Sequence, residues 1–245
     1  MYFSSKSIIV IIAFSLVLVT CKKDNRCDCM KSTGNTTIEY RTLPAFDKIN
    51  VDDNVNVIIS NDSQETIKVE AGKNLVSLIT TEVIDNELFI RNKNRCNWVR
   101  SYKKEINVYV KMPKLIFLTT KGSGDITTTD TIYGTSLGLL LHGAGNVSLI
   151  VKMNIVAGEL FGSGDFTIKG KADNWQCKMG GNGFLYASEM QAGYTWIWSN
   201  TTGNAYVYAP DWLRIFIYGS GDIYYSGNPS TIEKTIQGTG NLYKQ

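Results

Sequence analysis

Along residues 116–245, apolar and polar positions alternate in short runs, and the runs meet at the same kind of corner. Gly122-Ser123-Gly124-Asp125, Gly143-Ala144-Gly145-Asn146 and Gly162-Ser163-Gly164-Asp165 are followed by a degraded copy, Gly180-Gly181-Asn182-Gly183. Then come Thr201-Thr202-Gly203-Asn204, Gly219-Ser220-Gly221-Asp222 and Gly238-Thr239-Gly240-Asn241. With Asp125, Asn146, Asp165, Gly183, Asn204, Asp222 and Asn241 set as equivalent, the steps are 21, 19, 18, 21, 18 and 19 residues. A period of about 20 residues marks a repeat architecture. The following residues are Ile126, Val147, Phe166, Phe184, Ala205, Ile223 and Leu242, all apolar. Around them apolar residues favour alternate offsets, the period of a strand with one buried face.

Each repeat therefore reads as strand, corner, strand. One such unit cannot bury its own apolar face, so units must stack. The glycines read as supplying backbone angles closed to other residues. The Asp and Asn side chains read as folding back onto nearby backbone N–H groups. The signature of leucine-rich repeats, the main rival at this period, is absent. The expected fold is all-β, a right-handed parallel β-helix (a solenoid) with a β-rich N-terminal half.

Stacking constrains charge. Equivalent residues on adjacent coils sit about 4.8 Å apart, where two carboxylates repel by about 1 kcal/mol or more. The column reads Asp, Asn, Asp, Gly, Asn, Asp, Asn, with no two aspartates adjacent. Asp125, Asn146, Asp165, Asn204, Asp222 and Asn241 are accordingly read as a structural turn ladder.

Residues 41–115 alternate as strands but lack the corners. Strands are expected over 46–51, 54–59, 66–71 and 106–112, with a helical turn near 73–79 and a hairpin across Asp85-Asn86. This part, 41–115, reads as early, longer coils or a capping β-layer ahead of the coils of 116–245.

Residues 1–20 carry Lys6 and an apolar run from Ile8 to Val19, a secretory leader too short to span a membrane comfortably. Its ending, Leu18-Val19-Thr20-Cys21, resembles the lipobox of bacterial lipoproteins, in which the cysteine is lipidated. Cys21 is the expected lipidation site and residues 21–40 a tether, with the outer membrane as destination because no Asp follows the cysteine. The other reading is an ordinary leader with a chance cysteine. Export permits disulfides, so Cys27 or Cys29 can pair with Cys96. Cys177 lies within a coil and reads as packing.

Formal net charge is +3 with no long basic run, which gives no footing for nucleic acid. His142 is the only histidine and precedes a corner at an outward offset, so neither a histidine-based nucleophile system nor a histidine-rich zinc site is expected. Asp125, Asp165 and Asp222 fall at the wrong period, with too few oxygens beside them, for calcium. No catalytic residue, cofactor or metal is expected.

A whole-chain pattern is also present. It begins Arg41-x-Leu-x-x-Phe46-x-x-Ile49-x-Val51, continues through Ile67-x-Val69-Glu70-Ala71 and Val108-x-Val110-x-x-Pro113, and ends in the glycine corners with Gly219-Ser-Gly-Asp-Ile and Asn228-Pro229. Over nearly all of residues 40–245 it resembles the bacterial family called putative auto-transporter adhesin, head GIN domain. The resemblance implies a secreted or lipid-anchored β-helical protein of Bacteroidetes-like bacteria, with no catalytic residues to carry over.

Outward aromatics supply the remaining signal. Tyr206, Tyr224 and Tyr243 share one offset on three coils; Trp198 and Phe216 share another, flanked by Trp196 and Tyr218. Such rings read either as cross-strand stabilisation or as a contact face for sugar rings or a protein partner. The functional expectation is a non-catalytic exported lipoprotein, at the cell surface or on the periplasmic face, presenting a rigid surface to glycan or protein partners. The alternatives are a carbohydrate-active β-helix enzyme of lyase or hydrolase type and a periplasmic structural scaffold.

Overall fold

The computed structural model describes residues 32–94 and 105–245. The chain enters with β1 (Thr36–Arg41) and winds one turn, β2 (Lys48–Val51), a corner, then β3 (Asn56–Asn61). It leaves to lay down β4 (Thr66–Gly72), a 3₁₀ turn (Val76–Leu78) and the hairpin of β5 (Ile79–Ile84) and β6 (Glu87–Asn92), and comes back through β7 (Asn107–Met112). The hairpin turn places Asp85 and Asn86 at φ 51° and 62°, the paired left-handed conformation that a two-residue β-turn requires.

β8 (Phe117–Thr120) and β9 (Ile126–Thr128) then stack directly on β2 and β3. Continuous winding follows: β10 (Ile132–Tyr133), β11 (Ser136–Leu141), β12 (Val147–Lys152), β13 (Ile155–Leu160), and the long strands β14 (Phe166–Met179) and β15 (Leu185–Ser199). The last coils are β16 (Ala205–Tyr208), β17 (Trp212–Ile217), β18 (Ile223–Ser226), β19 (Thr231–Ile236) and β20 (Leu242–Lys244).

Two flanks result. Before the corners, β6, β2, β8, β11, β13, the second halves of β14 and β15, β17 and β19 stack in parallel. After them, β7, β3, β9, β12, the first halves of β14 and β15, β16, β18 and β20 do the same. The fold is a β-solenoid, as its repeats dictate. The N-terminal excursion supplies both expected features: β6 and β7 add a coil, while antiparallel β5 on one flank and β4 with β1 on the other close that end. A solenoid needs such a cap because its terminal coil otherwise exposes apolar side chains and unpaired backbone.

The buried column Leu88, Ile49, Leu118, Leu139, Gly158, Cys177, Ile197, Ile215 shows the core's logic, one inward residue per coil. Where Gly158 leaves room, the fully buried Trp175 reaches in, its ring edge-on to Phe166 at 6.1 Å. At the far end the column finishes on Lys234, paired with Ile215, while Ile232 and Ile236 are 42% and 39% exposed.

The structure corrects several sequence expectations. The segment read as a tether to residue 40 already contains β1, which pairs with β4 over Thr36–Arg41. The degraded fourth corner is shifted by one: Phe166 pairs with Leu185, which pairs with Ala205. Phe184, not Gly183, therefore occupies the Asp/Asn position, and Leu185, not Phe184, faces the core. The corner glycines do not adopt left-handed angles; among the described residues only Gly34, Gly170 and Gly227 do. Their purpose is proximity. The N–H of Ala144 donates to the carbonyl of Gly122 at 2.8 Å, and a Cβ on Gly143 would fall on that same oxygen.

The Asp and Asn side chains also act differently from the local fold-back expected of them. Each bonds to the next coil except Asn241 on the last, whose side-chain amide donates to the carbonyl of Thr239 at 3.3 Å. Asn56 Oδ1 accepts from the N–H of Asp125 at 3.0 Å, Asp125 Oδ1 from Asn146 at 2.8 Å, Asn146 Oδ1 from Asp165 at 3.0 Å, and Asp165 Oδ1 from Phe184 at 2.9 Å. The ladder resumes at Asn204, which accepts from Asp222 at 2.9 Å, and Asp222 accepts from Asn241 at 2.8 Å. Asn56 belongs to a corner without glycine, Asp53-Asn54-Val55-Asn56, where Asp53 takes φ 67°.

Candidate functional site

The residue two positions past each ladder residue points outward on the post-corner flank, because strand alternation sends its predecessor into the core. Strand register joins these residues into one row along the whole solenoid: Tyr40, Lys68, Tyr109, Ile58, Thr127, Ser148, Thr167, Tyr186, Tyr206, Tyr224 and Tyr243. No member is buried. Tyrosines occupy both ends, and small hydroxyl residues form a shallower stretch between them.

At the C-terminal end the rings stack. Tyr186 and Tyr206 have centroids 5.5 Å apart and planes 3° from parallel; Tyr206 and Tyr224 are at 5.1 Å and 11°; Tyr224 and Tyr243 are at 5.3 Å and 23°. Phe184 extends the stack sideways, 6.2 Å from Tyr186. The spacing is close to the strand separation of about 4.8 Å, so the backbone sets it. Desolvation holds the phenol of Tyr224 above its ordinary value, helped by the charge of Asp222 and by the hydrogen bond its hydroxyl donates to Asp222 Oδ2 at 3.3 Å. Desolvation, then the charge of Asp165, does the same for Tyr186. These phenols stay neutral donors through the physiological range.

Tyr206, Tyr224 and Tyr243 fall together as the sequence pattern indicates. Tyr186 was hidden by the one-residue slip at the fourth corner: it stands two past Phe184 but three past Gly183. Counting back from the apolar Leu185 would have found it.

The other flank carries the indole cluster. Trp198 and Phe216 are register partners, yet the ring contacts run diagonally, Trp196 to Phe216 at 6.2 Å and Trp198 to Tyr218 at 5.7 Å. Tyr194 and Trp212 add an edge-to-face pair at 5.7 Å. Arg214 lies 5.3 Å over Phe216 while pairing with Glu233 at 3.2 Å. Planes tilted by 42° to 73° give a packed, uneven surface, unlike the flat tyrosine stack.

The corners themselves border an open groove of about 640 Å³, flanked by Lys121, His142 and Phe161. His142 is exposed and packs against Phe161 at 5.7 Å. Among the described residues, no group of three or more His, Cys, Asp and Glu is placed to hold a metal ion. Asp125, Asp165 and Asp222 each have an oxygen engaged by the next coil. Cys177 is a free, fully buried thiol, pushed up to about 12 first by burial and then by the charge of Glu159. Cys21, Cys27, Cys29 and Cys96 lie outside the described residues.

Comparison with known proteins bears on the family and the fold. The model of the family described as putative auto-transporter adhesin, head GIN domain matches residues 45–229. No curated protein matches the chain. Solved structures that share the fold include a putative adhesin from Bacteroides fragilis, 20% identical, TM-score 0.83, covering 88% of this chain and all of that one. A putative adhesin from Parabacteroides distasonis is 20% identical with TM-score 0.70, covering 87% and 99%. A putative lipid binding protein from the same organism is 23% identical with TM-score 0.68, covering 88% and 100%. The chain belongs to the head GIN domain family.

Proposed function

We propose, from that family membership, that the chain is a non-catalytic adhesin: an exported lipoprotein whose solenoid flanks form a rigid contact surface for glycan or protein partners. The observation that carries this reading is the stack of Tyr186, Tyr206, Tyr224 and Tyr243, nearly parallel and set by the strands beneath it. Aromatic rings held on strands bring large contact area and little remaining side-chain freedom to lose. Their hydroxyls edge the stack, that of Tyr224 donating to Asp222, a combination suited to sugar rings, which offer apolar faces edged by hydroxyls. Trp196, Trp198, Phe216 and Tyr218 form a second, less regular face on the other flank.

Anchoring through Cys21 would leave the solenoid tethered to the outer membrane, with its flanks free along their length. Two acyl signals or more make such an anchor stable. The structural relatives called putative adhesins fit a role at the cell surface. Engagement of the corner aspartates by the ladder supports a binding role over the enzyme alternative, because these are the carboxylates on which that alternative rests.

A glycan and matrix-protein array probed with soluble residues 22–245 tests the reading. Binding to a defined class of glycan or protein is the expected result. Polysaccharide cleavage by the same protein, abolished by Asp165→Asn, would replace it with the enzyme reading. Protease shaving of intact cells separates a surface adhesin, which is cut, from a periplasmic scaffold, which is spared.

A further inference from the structure

The far end of the same outward row has a different chemistry. Tyr40, Lys68 and Tyr109 are register neighbours on β1, β4 and β7, and the adjacent row places Thr66 beside Lys111 and Ser60. Together they border a hollow of about 490 Å³, within the size range of small-ligand sites. Tyr40 is 71% exposed and stands as a wall. The ammonium of Lys68 lies 3.5 Å over the ring of Tyr109.

Charge distinguishes the two lysines. Lys111 is paired with Asp62 at 3.0 Å. Asp62 is held below the usual carboxylate range, first by that hydrogen bond. The nearby Glu70 takes the hydrogen bond of the Tyr109 hydroxyl at 3.1 Å. Lys68 has no carboxylate within ion-pair distance among the described residues; its partner is an aromatic face. The hollow thus presents one uncompensated cation beside two phenol rings, with hydroxyls from Ser60, Thr66 and Thr129 along its edge.

We propose that this hollow is a subsite for an acidic sugar residue, a hexuronate whose ring packs on Tyr40 and whose carboxylate meets Lys68. A single lysine balances one carboxylate, whereas a phosphate group carries about −1.5 to −2 charges and three acceptor oxygens. The aromatic walls favour a ring with an apolar face over a free anion. The inference goes beyond the tyrosine stack: it names a second, separate site on the same row and uses none of the stacked tyrosines at the other end.

The test is calorimetric titration of residues 22–245 with trisaccharides of galacturonate, glucuronate and mannuronate, with maltotriose as the neutral control. At least one acidic trisaccharide binds, and maltotriose does not. Lys68→Gln and Tyr40→Ala each weaken that binding at least tenfold, and raised salt weakens it in the wild type. Tyr224→Ala leaves it unchanged, so loss of the tyrosine-stack reading and loss of this one are separable. Both test residues are at least partly exposed, and an unchanged thermal midpoint verifies folding. Absence of binding by all three acids, equal binding of maltotriose, or wild-type affinity in Lys68→Gln overturns the assignment.

Discussion

Asp125 Oδ1 accepts a hydrogen bond from the backbone N–H of Asn146, 2.8 Å away and 21 residues later in the chain. The same bond recurs from coil to coil, so a side chain that looks like turn chemistry is a strut between turns. It requires an acceptor oxygen and no charge, which is why Asn can stand in for Asp. Asp165→Ala removes the acceptor for the Phe184 N–H and should lower stability by about 1 kcal/mol, whereas Asp165→Asn should be close to neutral. Urea midpoints of the two variants distinguish a strut from a charge.

Asn146→Asp should fail for a different reason. It keeps the acceptor but makes Asp125, position 146 and Asp165 three successive carboxylates about 4.8 Å apart. Each new contact costs about 1 kcal/mol at low salt. The loss should shrink as ionic strength rises, seen as a convergence of wild-type and variant unfolding midpoints.

Gly143→Ala tests whether the corner glycines serve proximity. The new methyl would meet the Gly122 carbonyl, which is fixed by its bond to Ala144. We expect a loss of about 1–3 kcal/mol. Ser163→Ala, at an exposed corner tip, should stay within about 0.5 kcal/mol of wild type. Equal, small effects of both would refute close coil approach as the reason for glycine.

Lys234 ends a column of buried apolar residues at the open end of the solenoid. An inward-directed charge on an edge strand opposes pairing with another chain. Lys234→Ile should therefore increase concentration-dependent self-association beyond wild type, measured by sedimentation velocity. No change would mean that the edge is protected otherwise.

Cys177 is fully buried with its thiol pushed up to about 12. Because the thiolate is the reactive form, iodoacetamide at pH 8 should leave it unmodified in the native protein and label it in urea, as read by peptide mass. Native labelling at the unfolded rate would contradict its burial.

Much of this was legible beforehand because repetition amplifies weak signals. One glycine corner is ambiguous; seven at a steady period are not. The hairpin at Asp85-Asn86 was legible because both residues tolerate positive φ. Four things were hidden. The first corner has no glycine: Asp53-Asn54-Val55-Asn56 stands in its place, with Asp53 at φ 67°. β1 looked like linker because its stabilising partner, β4, lies about thirty residues on. The fourth corner was misaligned because Phe184 replaces the Asp/Asn residue and β15 carries a bulge opposite Thr167–Lys169. That slip concealed Tyr186, and with it the length of the stack. The subsite around Lys68 gathers Tyr40, Lys68 and Tyr109 from β1, β4 and β7, strands far apart in the chain, so no local pattern announced it.

The proposed adhesive surface is the row of stacked tyrosines. The direct measurement is surface-plasmon affinity of residues 22–245 for the strongest array hit other than an acidic saccharide, comparing wild type with Tyr206→Ala/Tyr224→Ala. The account predicts at least a tenfold loss of affinity in a variant that still unfolds cooperatively. Wild-type affinity in that folded variant would contradict it.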